Sequence, residues 1–231
     1  MESPHCVLPP VSLQPSRWAS ARAIARPLPA DARGYRLVQL AVGLVLLGTS
    51  ASLLVLSNTG VTPWDVFHQG LARHTGIQIG TWSILVAVAI LTFWIPLRER
   101  PGVGTIGNTI LLGLTMNVVL GLVPEVHGSA ARWSCCLGGI VLNGVATGIY
   151  IGAGLGAGPR DGLMTGLARR TGRSLRLVRT VIEVAVLGLG WFLGGTVGVG
   201  TVLYVLAIGP LAHHFVPLFS RRERVTPAQF E

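Results

Sequence analysis

The sequence predicts an all-α membrane protein of six transmembrane helices, arranged as two inverted three-helix repeats. Each repeat is expected to carry a short extra helix between its first and second spans. Three observations predict this. Half of the residues are apolar and only 12% are charged. The apolar residues cluster in runs near the ~20 that a helix needs to cross a hydrocarbon core ~30 Å thick. The segment GVTPWDVFHQGLARHTG (Gly60 to Gly76) returns 96 residues later as GAGPRDGLMTGLARRTG (Gly156 to Gly172), with nine of 17 positions identical. A repeat at fixed offset governs how the rest of a chain is read. Finally, the basic residues gather on alternate connections between the apolar runs.

Residues 1–34 are rich in Pro and Arg and hold no apolar stretch long enough for a secretory signal. They read as a flexible cytoplasmic tail or as sequence upstream of a misassigned start codon. Repeat 1 covers residues 35–123, with spans at Tyr35–Leu56, Ile77–Leu97 and Ile106–Val123. An outer loop is expected at 124–134. Repeat 2 covers 135–219, with spans at Cys135–Ile151, Leu175–Leu193 and Thr201–Phe219, and 220–231 forms a second cytoplasmic tail. Almost nothing is left over for a soluble domain. The register holds from the repeated segment to GVGT at Gly102–Thr105, matched at Gly198–Thr201. These two turns resemble phosphate loops only superficially, since glycine there permits a tight reversal between consecutive antiparallel spans.

The segment after each first span is too long for a turn. Pro63–Thr75 is predicted as a short helix of ~20 Å at 1.5 Å per residue. Thr62 suits the N-cap, Pro63 the first helical position and Asp65 the third, where a carboxylate answers free amides. Gly158, Pro159 and Asp161 take the same places in the second copy. Trp64, Phe67, His68 and Leu71 share one face, as do Arg160, Leu163, Met164 and Leu167. Such a helix lies in the membrane interface or dips inward as a re-entrant element; the sequence leaves both open. Small residues recur every four positions at Gly144, Gly148, Gly152 and Gly156, at Gly48 and Ser52, and at Gly113, Asn117 and Gly121. That spacing lets helix backbones approach closely inside lipid.

The net charge is +9, and all 18 basic residues are Arg. With six spans and the N-terminus inside, sixteen of them fall on one side, leaving Arg73 and Arg132 on the other. This asymmetry predicts both termini in the cytoplasm. Three spans per repeat is an odd number, so the second copy enters the membrane from the opposite side. On this reading Asp65 and Trp64 belong near the outer face, and Asp161 and Arg160 near the inner one. Nucleic-acid binding is excluded because no basic face joins base-stacking aromatics on a soluble module. Cys6, Cys135 and Cys136 form no disulfide framework.

The segments PWDVFHQGLARHTG, AGLGAGPRDGLMTGLARRTG, SLRLVRTVIEV and GGTVGVGTVLYVLAIGP resemble the YczE-type, YitT-related family of bacterial integral membrane proteins. The likeness covers approximately Arg36 to Phe219. It implies a multi-pass plasma-membrane protein of actinobacterial type and says little about activity.

Four residues are candidates for solute or ion binding. Asp65 and Asp161 are retained by both copies, either as helix caps or as parts of an anion or coupling-ion site at helix N-termini. Glu183 is the single acid inside an apolar span, and Arg179 lies four residues earlier on the same face. An acid in mid-bilayer is costly and marks a functional site by default; a structural ion pair is the alternative. Asn108, Asn117, Asn143, Tyr150 and Tyr204 either bond between helices or line a polar cavity. His213 and His214, like His68 and His74, lack the spacing of a metal site, so neither metal nor cofactor is expected. No HExxH and no intramembrane Ser–His arrangement is present, which argues against an enzyme. The function expected is a small secondary transporter or exporter, with a non-transporting accessory or assembly subunit as the alternative. The expected partners are the lipid bilayer, an unidentified small solute and, through the glycine seams, a second copy or another membrane protein.

Overall fold

A computed structural model describes residues 30–220 of the chain. Most of the two predicted tails, 1–29 and 221–231, lies outside the described residues. The rest is helical: α1 (Ala30–Ser57), α2 (Pro63–Thr75), α3 (Ile79–Leu97), α4 (Val103–Leu122), α5 (Ser129–Gly152), α6 (Pro159–Thr171), α7 (Leu175–Phe192) and α8 (Val199–Phe219). The apolar runs expected as spans fall on helices α1, α3, α4, α5, α7 and α8, with ends that differ by up to six residues. The loop expected at 124–134 is shorter, because α5 begins at Ser129. Among the described residues, five helices are long and apolar enough to cross a membrane. The sixth long helix, α7, carries Arg176, Arg179 and Glu183 within its 18 residues.

The starts of α2, α3 and α4 recur 96 residues later as those of α6, α7 and α8. The short helices form as their caps dictate. Thr62 Oγ1 accepts the Asp65 backbone N–H at 3.2 Å and donates to Asp65 Oδ2 at 2.7 Å. Gly76 ends α2 in the left-handed region, as Gly172 ends α6. Each such capping bond contributes roughly 1 kcal/mol.

Equivalent positions of the two copies exchange contacts. At the central crossing of α1 and α5, Gly43 lies against Tyr150 and Gly139 against Leu54. Gly104 N–H donates to Leu155 O at 2.9 Å, and Gly200 N–H donates to Thr59 O at 3.0 Å. Gly60 and Gly156, each preceding a short helix, adopt φ of 125° and 128°, which a side chain would resist. Around the crossing, α1 packs on α4 and α5 on α8, while α2 packs on α7 and α6 on α3. The glycine row of α5 is filled by α8: Leu211, Phe215 and Phe219 sit against Gly144, Gly148 and Gly152.

Within the copies the two hairpins differ. In the α3–α4 hairpin a Cβ on Gly80 would overlap the Gly113 carbonyl, and Asn117 Nδ2 donates to Thr81 Oγ1 at 2.9 Å. The counterparts in repeat 2 are Arg176, Gly209, His213 and Leu177. An arginine cannot occupy the space left by Gly80, and the amide–hydroxyl bond has no equivalent. A Cβ on Gly209 meets nothing within 4 Å, and α7 and α8 diverge where α3 and α4 pack.

The outer surface is apolar. Along α4, Ile106, Ile110, Leu114, Val118 and Leu122 recur every fourth residue and are all exposed. A band of that kind suits hydrocarbon, not water.

Candidate functional site

A cavity of about 470 Å³ lies where the two copies meet. That volume falls in the ~300–1,000 Å³ range of small-molecule sites. Both short helices bring their first residues to it: Thr62, Pro63, Trp64 and Asp65 from one copy, and Gly158, Arg160 and Asp161 from the other.

Two close fits hold those helix starts. Gly162 of α6 lies beneath the Trp94 indole, with no room for a Cβ, and Trp94 Nε1 donates to Pro159 O at 3.1 Å. In the reciprocal crossing, Gly190 of α7 receives the α2 backbone at Val66 and Phe67. The far ends are tied down by the repeated arginine. Arg73 donates to Gly194 O and, at 3.2 Å, to Thr196 Oγ1. Its counterpart Arg169 pairs with Glu99 at 2.7 Å and donates to Leu97 O at 3.3 Å. Each short helix is thus fastened at both ends to the other copy.

The sequence reading placed Asp65 and Asp161 near opposite faces, with Trp64 outside and Arg160 inside. The structure brings all four to one cavity, and the Arg160 guanidinium stands 4.9 Å from the centre of the Trp64 ring. The physical reason is the course of the short helices. Each runs inward from its exposed C-terminal end, so the N-termini converge. His68, expected on an outer segment, is fully buried on α2, its Nδ1 3.4 Å from Asp65 Oδ1.

Glu183 and Arg179 reach the same cavity from α7, joined by a 2.9 Å bond from Arg179 Nε. Of the polar residues in the apolar runs, Asn108, Asn143, Tyr150 and Tyr204 line the cavity, whereas Asn117 bonds to Thr81 between helices. Tyr150 donates to Asp161 Oδ2 at 3.0 Å. Tyr204 donates to Asn143 Oδ1 at 3.2 Å, and Asn143 in turn donates to Ser50 Oγ at 2.8 Å. Apolar walls come from Leu47, Ala51, Leu112, Met164, Val205 and Ile208. The four site candidates therefore meet, together with the two helix-start prolines Pro63 and Pro159: Pro63 lines the cavity, and Pro159 is buried beside it.

Sequence reasoning missed Arg160 as a site residue. Its signal was the unlike pair at one repeat position, Trp64 and Arg160, and that signal was spent on membrane sidedness.

The model of a family of unknown function, DUF6198, matches residues 34–217. An uncharacterized protein of Haemophilus influenzae is 40% identical over 182 residues, covering 79% of this chain and 84% of the relative. The uncharacterized membrane protein YczE of Bacillus subtilis is 35% identical over 180 residues, covering 76% and 82% of the two chains. YyaS, an uncharacterized protein of the same bacterium, is 27% identical over 184 residues, covering 78% of this chain and 92% of the relative. No solved structure matches.

Proposed function

The chain belongs to this DUF6198 family, and from that premise we propose that it is a small secondary transporter or exporter of the bacterial plasma membrane, with the cavity as its solute site. The carrying observation is the cavity itself: charged residues of both copies converge on it inside an otherwise apolar helical body. Polar groups held away from lipid at a repeat interface are the expected form of a transport site.

In this reading α7 is the sixth span. Its charges Arg179 and Glu183 line the cavity, while Val181, Val184 and Leu189 on its other face are exposed apolar residues suited to lipid. Six spans make the two copies inverted about an axis in the membrane plane. The exchanged contacts support that relation, and the arginine count supports cytoplasmic termini. The packed α3–α4 hairpin and the parted α7–α8 hairpin then represent the closed and open sides of one state.

The accessory-subunit reading draws less support. The glycine row that would suit a partner helix is filled from within by α8. An enzyme is not proposed.

The test is solute flux in proteoliposomes under an imposed proton gradient. Glu183→Gln and Asp161→Asn are expected to lower a specific flux at least tenfold while remaining folded. Folded variants with full flux would remove the cavity from the function.

A further inference from the structure

The charged groups lining the cavity are not equally committed. Asp65 accepts from Thr62 and stands beside His68. Asp161 accepts from Tyr150, and Glu183 is paired with Arg179. Arg160 differs. One face of its guanidinium rests on Trp64, and among the described residues no hydrogen bond or ion pair uses any of its five N–H donors. Asn108 and Thr147, also on the lining, likewise have no side-chain partner among the described residues. All three are partly exposed to the cavity, so their donors are free to meet a ligand that enters it.

We infer that the cavity binds a small organic anion, its carboxylate-like headgroup held edge-on by Arg160 and its apolar part against Leu47, Leu112 and Met164. A planar guanidinium clamped on an indole presents its fork to a two-oxygen acceptor. Asn108 supplies a further amide donor. The N-terminal ends of α2 and α6 both border this space, and the positive end of a helix dipole favours negative charge. Of the acids on the lining, Glu183 is neutralised by Arg179, while Asp65 and Asp161 are held by the hydroxyls of Thr62 and Tyr150, which leaves the Arg160 fork itself open.

The inference deepens the transport reading and rests on it only in taking the cavity as open to solutes. The experiment measures binding, not flux: thermal unfolding of the purified protein is followed with hexanoate, hexylphosphonate, hexylammonium and hexanol. Saturable stabilisation by hexanoate or hexylphosphonate is expected, with none from hexylammonium or hexanol, and an affinity loss of at least tenfold in Arg160→Gln. Should that variant not fold, Arg160→Lys keeps the charge but loses the fork, and must bind severalfold more weakly. Equal stabilisation by hexylammonium, unchanged affinity in the arginine variant that folds, or no binding of either anion overturns the inference. Anion binding without flux of any solute would sink the transporter reading and leave this one standing. Flux of a cation with no anion binding would do the reverse.

Discussion

Gly162 and Trp94 show how much can depend on a missing methyl group. The indole fills the space where a Cβ would stand and bonds to the carbonyl at the start of the same helix. Gly162→Ala is therefore expected to cost about 1–3 kcal/mol by overpacking, read as a lower thermal midpoint. Gly138→Ala is the control: nothing lies within 4 Å of a Cβ there, so a gain of up to about 1 kcal/mol in helix propensity is expected. Equal losses at both positions would refute the packing account. Tyr150→Phe removes only the donor to Asp161 and is expected to cost about 0.6 kcal/mol, the mean for such bonds between membrane helices. Legibility at this scale was uneven. Glu183 stood out because an acid inside an apolar run has few harmless explanations. Arg160 did not, because it sits on a connection, and a sequence does not distinguish a connection along the surface from one that folds inward.

Between elements, a few substitutions separate two hairpins that stand at matching places in the two copies. Gly80 lets α3 reach α4, and Arg176 at the matching place keeps α7 from α8. Paired cysteines can read the difference. Thr81→Cys with Asn117→Cys replaces two bonded side chains and is expected to cross-link readily under mild oxidation. Leu177→Cys with His213→Cys, the counterparts, is expected to cross-link at least several times more slowly. Similar rates would mean that the hairpins are alike. The hairpin boundaries were legible from hydropathy, and the caps of α2 from Thr62, Pro63 and Asp65. The parting of α7 and α8 was not. It depends on what faces Gly80 across the hairpin, and that partner is known only once the two helices are paired in space.

At the scale of the molecule, the sequence carried the duplication but not what the two copies build together. Nine identities in 17 positions gave the equivalence of α2 and α6. They did not tell that the two helices point their starts at each other, since identity of sequence is silent on the contact between copies. The proposed inversion has a direct test. His74 and Arg170, exposed at the outer ends of α2 and α6, can each be replaced by cysteine and challenged with an impermeant maleimide. His74→Cys is expected to label from the periplasmic side and Arg170→Cys from the cytoplasmic side; labelling of both from one side would overturn the inverted arrangement.

Trp64 and Arg160 occupy one repeat position and touch each other. A pair of identical, unfused subunits has no freedom there: whatever residue stands at such a place must confront itself. Two arginines would repel, and two tryptophans would carry no charge. Once the copies are free to diverge, as they are when joined in one gene, that position can hold an odd number of charges. Fusion, on this view, did more than fix the stoichiometry of two halves: it allowed an arginine to face an indole, and not its own copy, at the spot where they meet.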